Sequence, residues 1–120
     1  MTRLAMPSAV RAAYHDEIGA GRSAADAGDV AAAWSHLERA HVLAQSFPVA
    51  HVGSHVAQLR LGWRTRDWTE VAGQLIRIAV AGPASMVGRI PLGNDGRART
   101  PLSATAPVPA DLAAIIEGPP

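Results

Sequence analysis

Four consecutive segments of this chain place apolar residues three and four positions apart, and only short breaks separate them. That spacing is typical of amphipathic helices. The breaks fall at Gly28, Phe47-Pro48 and Thr65-Arg66, and connections this short make consecutive helices antiparallel neighbours. The sequence therefore predicts an all-α fold, a compact bundle of two helical hairpins.

Residues that start or stop helices set the expected bounds. The first helix is predicted from about Pro7 to Ala27, because Pro suits a first turn and Gly28 is a natural stop. The second is predicted from Val30 to about Gln45, with Asp29 as its N-cap. The third is predicted from about Val49 to Arg64, after a Phe-Pro break.

The fourth helix is expected to begin after a capping box, in which Asp67 is the N-cap and Glu70 follows three residues later. Its end is predicted near Gly82-Pro83, because Pro disfavours a helix interior. Helical spacing predicts that four apolar residues of this helix face the core: Val71, Leu75, Ile78 and Ala79.

A weak internal repeat relates the two hairpins. Three pairs of identical residues lie 38 positions apart: Asp29 and Asp67, Leu37 and Leu75, and Arg39 and Arg77. Helix–turn–helix units of about this length build tetratricopeptide arrays. A solenoid needs about three or more such units, so a tetratricopeptide-like bundle is expected instead.

Residues 1–83 are predicted to form the helical bundle domain, and residues 84–120 a turn-rich C-terminal tail. The tail is rich in Pro and Gly, which favour turns over regular structure. It is expected either to lie across the bundle as a strap or to be partly disordered. One last short helix is predicted from Asp111 to Glu117.

Composition excludes several classes of function. The 120 residues are 48% hydrophobic and 18% charged, as in a globular domain. The formal net charge of +1 gives no electrostatic case for binding nucleic acid or an anionic membrane. The chain has no Cys, which excludes thiolate metal sites and Cys nucleophiles. No apolar run approaches the roughly 20 residues that span a bilayer, so a cytoplasmic location is expected.

Two short motifs carry the residues best suited to chemistry. Glu38 and His41 are three residues apart on the second helix, and His51 and His55 are four apart on the third, so each pair shares one edge of its helix. The antiparallel arrangement brings these edges together across a short turn. Glu17, the one charged residue on the apolar face of the first helix, is expected to close the site.

Imidazole and carboxylate donors together suit a divalent transition metal such as Fe, Zn or Mn. A di-iron centre in a helix bundle uses more carboxylates than this set offers. One ion is therefore favoured over two. The alternative is structural, with His41 a hydrogen-bonded core residue and His51 and His55 solvated. His15 and His36 do not join the cluster and are expected at the surface.

Four sequence segments resemble a bacterial family known as DUF3703, a domain of unknown function. They are Leu37–Gln45, His51-x-x-x-His55, Leu61–Trp68 and Gly88–Asn94. The resemblance covers residues 9–96. Family members usually continue the last segment with Thr-Gly-Gly, where this chain has Asp95-Gly96-Arg97. The resemblance implies a single set of metal ligands and no particular reaction: Glu17, Glu38, His41, His51 and His55.

The leading hypothesis is a metal-binding helical protein, with a non-haem metalloenzyme that acts on an unknown small-molecule substrate as the favoured form. A metal storage or delivery protein that uses the same residues is one alternative. A tetratricopeptide-like interaction module without catalysis is the other. It would bind a peptide in a concave groove and tolerate loss of His51 and His55. Neither the substrate nor the oligomeric state follows from the sequence.

Overall fold

A computed structural model describes residues 5–118 of the chain. All regular secondary structure in this range is helical. The elements are α1 (Ser8–Asp26), α2 (Val30–Ala44), α3 (Pro48–Arg64), α4 (Trp68–Met86) and α5 (Ala110–Glu117). The helix α1 packs along α2, and α3 packs along α4, while α2 and α3 join the two hairpins. The all-α bundle of two hairpins is therefore confirmed.

Both aspartates of the 38-residue repeat cap a helix. The Asp29 carboxylate accepts a hydrogen bond from the Ala32 N–H, and the Asp67 carboxylate accepts one from the Glu70 N–H. These bonds satisfy backbone donors that the first turn of a helix leaves unpaired. They therefore start α2 and α4 at equivalent positions of the two hairpins.

The predicted end of the fourth helix was wrong, because α4 continues through Pro83 to Met86. Proline costs a helix one backbone hydrogen bond, here the bond to the carbonyl of Ala79. Ala79 is exposed, so water can hydrate that carbonyl. The last turn is closed by the N–H of Val87, which donates to the Pro83 carbonyl.

The apolar core lies between α1 and α2 and extends to α5. One cluster contains Val10 and Tyr14 of α1, Leu43 of α2 and Leu112 of α5. A second cluster contains Trp34 and three aliphatic residues: Ala33, Leu37 and Leu61. The short helix α5 therefore docks on the first hairpin through Leu112. Within residues 5–118 no helix is long and apolar enough to cross a membrane.

The helix α4 turns its polar side inward, opposite to the prediction from apolar spacing. Leu75 is 56% exposed and Ala79 is exposed, while Val71 and Ile78 are half-buried. The buried residues of α4 are mostly polar: Glu70, Gln74, Arg77, Ala81 and Ser85. They are tolerated there because the following chain and α3 supply hydrogen-bond partners, which buried polar groups need.

Those partners come largely from residues 87–109, which we call the connecting segment. It runs back over the open side of α2, α3 and α4. Asn94 and the flanking glycines Gly93 and Gly96 are buried there. Both glycines have φ of +80°, a conformation that other residues adopt at a cost. The connecting segment thereby passes close to the inner faces of three helices.

Candidate metal centre

Three histidines from two helices converge beneath the connecting segment. His41 lies in the last turn of α2, and His51 and His55 lie in the first half of α3. All three are buried, and one ring nitrogen of each lies within 4.8 Å of the others. Among residues 5–118 these are the side chains placed closely enough to hold an ion. We call them the His triad.

The hydrogen bonds around the His triad determine the tautomer of two rings. In both rings the partner of Nδ1 is an oxygen that can only accept a hydrogen bond, so Nδ1 must carry the proton. His41 Nδ1 donates to the Asn94 carbonyl at 2.6 Å. His55 Nδ1 donates to Gln74 Oε1 at 2.7 Å. The Gln74 amide nitrogen is already used, because it donates to Gly96 O and to Glu70 Oε2. These two rings are therefore protonated on Nδ1 when neutral.

His51 is also protonated on Nδ1, and its hydrogen-bond partner is a hydroxyl group. Its Nδ1 lies 2.6 Å from Ser85 Oγ, and that hydroxyl donates its own proton to the Gln45 carbonyl at 2.7 Å. The Ser85 oxygen therefore accepts from the His51 ring. Each ring of the triad thus keeps a bare Nε2, the form in which imidazole binds a metal.

Two of these bare nitrogens face each other. His41 Nε2 and His51 Nε2 are 3.1 Å apart, and with both Nδ1 atoms protonated neither Nε2 carries a proton to share. Two lone pairs at this distance repel unless a cation lies between them. The separation also suits two ligands that each lie about 2.0–2.1 Å from one ion.

Burial keeps the rings of the His triad neutral. It lowers the pKa of His51 to about 4 and that of His41 well below its ordinary value. Burial also lowers the pKa of His55. The charge that a neighbouring histidine would carry lowers the pKa of His41 and His51 further. The triad is consequently ready to bind a metal at neutral pH without first losing protons.

The two carboxylates predicted to complete the site lie elsewhere. Glu17 accepts from His36 Nδ1 at 2.7 Å and from Arg39 Nε at 2.9 Å. Glu38 accepts from Arg97 at 2.9 Å. Each carboxylate thus has a cation from a neighbouring element as its partner. The structure brings together three of the five predicted ligands, all of them histidines.

The other two histidines lie outside the triad. His15 is exposed on α1 and its ring lies against Tyr14. His36 is partly exposed, and it holds Glu17 on the α1–α2 side of the bundle. They offer natural controls for any effect of removing an imidazole.

Three buried glutamines hold the connecting segment over the triad. Gln45, the C-cap residue of α2, donates to the Pro91 carbonyl and accepts from the Gly93 N–H. Gln58 of α3 donates to the Asp95 carbonyl, and Gln74 of α4 donates to that of Gly96. These residues were not predicted as part of the site. Two of them were detectable, because Gln45 is four residues from His41 and Gln58 three from His55.

One of these glutamines keeps an unpaired atom. Gln58 Oε1 is buried without a hydrogen bond of good geometry among the described residues, although Gln58 is close enough to His55 to raise the pKa of that ring. It lies beside Gly96, at the same point where the His41 ring closes in. An orphaned acceptor inside a core costs about 1–3 kcal/mol. Next to the triad it can accept a hydrogen bond from water or another ligand held there.

An ion-pair network closes the other side of the connecting segment. Arg97 donates to Glu70 at 2.6 Å and to Glu38 at 2.9 Å, and its guanidinium lies 3.7 Å from the centre of the Trp34 ring. Glu70 also accepts from the Ala98 N–H. Glu70 therefore anchors the connecting segment, in addition to its position in the first turn of α4.

Comparison with known families supports the resemblance found in the sequence. The model of a protein family of unknown function, DUF3703, matches residues 8–116. The chain belongs to the DUF3703 family. The match spans α1 to α5, so the connecting segment and the His triad both lie inside the family domain. Searches of curated proteins and of solved structures found no match.

Proposed function

We propose that this DUF3703 protein binds one divalent transition metal ion through Nε2 of His41, His51 and His55. The 3.1 Å approach of the bare His41 and His51 nitrogens carries the proposal. Backbone carbonyl, amide and hydroxyl partners hold the three Nδ1 atoms, and such partners orient the rings of metal-bound histidines. Glu17 and Glu38 have cationic partners, so we assign them structural roles.

Three imidazole donors limit which metals fit the site. Imidazole suits Zn, Fe, Cu and Ni, whereas Mn prefers oxygen ligands. Of the ions considered from the sequence, Zn and Fe therefore fit better than Mn. Three protein ligands with a remaining position are typical of catalytic rather than structural zinc sites. An ion there supplies Lewis acidity to a bound substrate, which favours a non-haem metalloenzyme of unknown substrate.

Metal analysis of untagged protein is the direct test. We expect about one equivalent of Zn or Fe, and a melting temperature that rises when Zn²⁺ is added to the metal-free protein. His51→Ala should abolish the rise, and His15→Ala, which removes an exposed imidazole, should preserve it. Far-ultraviolet circular dichroism checks that both variants keep their helices. A metal-free protein whose melting temperature ignores Zn, Fe, Co, Ni and Mn contradicts the proposal.

Exchange kinetics separates an enzyme from a storage or delivery protein. The triad lies beneath a segment held by Gln45, Gln58 and Gln74. The opening beside the triad is a cavity of only about 110 Å³, so an ion has to leave all three histidines before a chelator can capture it. We therefore expect slow transfer to a chelator in stopped-flow absorbance, which a resident cofactor requires. Complete transfer within seconds favours storage or delivery.

A second candidate function has its own observation, a groove between α1 and α3. Its volume is about 540 Å³, within the range of ligand sites. Ile18, Leu37 and Val56 give it an apolar floor. Arg22 and Arg60 line the same end and make no ion pair among the described residues. An apolar floor with a basic end suits a peptide that has apolar side chains and a terminal carboxylate.

Charge reversal tests that second function. A fluorescein-labelled leucine-rich peptide with a free C-terminal carboxylate should bind, and the amidated peptide should bind more weakly. Arg60→Glu should weaken binding, while Arg11→Glu, an exposed change outside the groove, should not. His51→Ala should also leave it intact. Equal anisotropy titrations for the acid and the amide would contradict a role for the basic end.

A further inference from the structure

The His triad opens onto a small cavity between α4 and the connecting segment. Its volume is about 110 Å³, and the three triad rings form one wall. Arg77, Val80, Arg89 and Leu102 contribute to the remaining walls. Val80, Arg89 and Leu102 are exposed, so they mark the mouth through which solvent reaches the triad.

The volume limits what the cavity can accept. Sites for drug-sized ligands are about 300–1,000 Å³, several times larger. A single water needs only about 10–15 Å³ by the same kind of measure. The cavity therefore encloses a molecule of a few heavy atoms, and a sugar, a nucleotide or an aromatic acid exceeds its volume.

The charges around the cavity have one sign. Among the described residues that line it, two are arginines and none is Asp or Glu. Arg77 is 8% exposed, and its guanidinium donates to the carbonyls of Gly73, Ala98 and Thr100. Within residues 5–118 no carboxylate lies at ion-pair distance from it. The hydrogen-bond partners of Arg77 are thus neutral, and the carboxylates of Glu70 and Asp95 act on its charge from beyond ion-pair distance. A buried cation without an ion-pair partner favours an anion nearby.

The His triad adds to that imbalance once it is loaded. Three neutral imidazoles leave the full charge of a divalent ion uncompensated, because Glu17 and Glu38 are paired elsewhere. The remaining coordination position is the one that the protein does not fill. Ion and arginines together make the cavity a strongly positive, size-limited site.

We propose that this cavity binds a small planar oxyanion, of the carboxylate or bicarbonate type, which completes the coordination of the triad-bound ion. The proposal rests on the proposed metal site. Arg89 attracts the anion at the mouth, and Arg77 contributes its charge from the interior.

Cobalt substitution provides the test, because the visible absorption of Co²⁺ reports its ligands. We expect acetate and bicarbonate each to shift the spectrum of the Co²⁺-loaded chain with saturation, and benzoate, which exceeds the cavity, to leave it unchanged. Arg89→Gln should weaken acetate binding by up to about fivefold, the effect of an exposed charge. Arg11→Gln, an exposed change on α1, should have no effect.

The outcomes separate the two proposals. One equivalent of bound Co²⁺ whose spectrum ignores acetate and bicarbonate overturns the oxyanion site and leaves the metal site standing. An equal response to benzoate overturns the size limit, and with it the assignment of this cavity. A chain that binds no Co²⁺ overturns both proposals.

Discussion

The two hairpins carry identical residues at equivalent positions and use them differently. Leu37 of α2 is 5% exposed, whereas Leu75 of α4, 38 residues later, is 56% exposed. Arg39 pairs with the carboxylates of Glu17 and Asp111 at the surface. Its counterpart Arg77 is buried against backbone carbonyls. The first hairpin therefore folds around apolar contacts and the second around a polar interior.

The difference shows that the candidate site lies in the less stable of the two interiors. A polar interior contributes less than an apolar one and becomes costly when any partner is missing. In the second hairpin the missing partners are supplied by the connecting segment. That arrangement builds the triad and its cavity, and it leaves apolar residues such as Trp63, Trp68 and Leu75 on the outside.

The largest effect is expected from Glu70, which is fully buried and binds Arg97 and the Ala98 N–H. Glu70→Ala leaves the Ala98 N–H without its acceptor and removes one of the two carboxylates that Arg97 binds. Removing one member of a buried ion pair costs about 3–5 kcal/mol. Urea unfolding should show this loss, whereas Asp26→Ala, which breaks the exposed pair with Arg64, should cost about 1 kcal/mol or less. Equal losses would remove the distinction between the two interiors.

The repeat itself gives the next test, with the same substitution at two equivalent leucines. Leu37→Ala creates a cavity in the first hairpin and should cost about 2–5 kcal/mol of the free energy of unfolding. Leu75→Ala changes an exposed residue and should stay within about 0.5 kcal/mol. Comparable losses in urea unfolding would mean that Leu75 is covered in solution.

Local signals predicted the fold well, because they depend on residues close in sequence. Both capping aspartates and the short breaks identified the helices and their pairing. The inward face of α4 could not be predicted from apolar spacing, since it is decided by hydrogen bonds to residues 19 or more positions away. Pro83 gave a similarly misleading local signal, because its cost is tolerable near an exposed helix end.

The candidate site was predictable only in part for the same reason. His41, His51 and His55 converge because one short turn joins their helices, and that is visible in the sequence. The partners of Glu17 and Glu38 are not, because Arg97 reaches Glu38 from 59 residues away. A carboxylate at the right helical spacing is available to a metal only if it is not already paired with an arginine.

Acid should destabilise the metal-free protein through the triad. An unfolded histidine has a pKa of about 6.5, and that of folded His51 is about 4. Between these values the unfolded chain binds a proton that the folded chain does not. Stability present above pH 6.5 is therefore lost as the pH falls towards 4, by about 3 kcal/mol for His51 alone.

Urea unfolding at pH 7 and pH 4 measures this loss, with His51→Gln as the variant that should reduce it. His15→Gln is the matched control, because His15 is exposed on the first hairpin. If the free energy of unfolding fell by the same amount between pH 7 and pH 4 in the wild type and in His51→Gln, the buried ring would not control the acid response.

The smallest expected effect tests how the connecting segment positions the triad. Gly96 has φ of +80°, and a Cβ there would lie 2.7 Å from Cδ2 of the His41 ring. Gly28 has φ of +81°, and a Cβ added there would meet no atom within 4 Å. Both alanine variants should therefore share a backbone cost of about 1 kcal/mol or more. Only Gly96→Ala also pushes the ring of His41.

Metal affinity separates these two contributions. Displacing a group that orients a ligand typically weakens binding about 10–100-fold, so Gly96→Ala should lower the Zn²⁺ affinity in competition titrations by that factor. Gly28→Ala should leave it unchanged while losing similar stability. If both variants bound Zn²⁺ like the wild type, the close approach of Gly96 would have no part in orienting His41. The connecting segment would then cover the polar interior without positioning the triad.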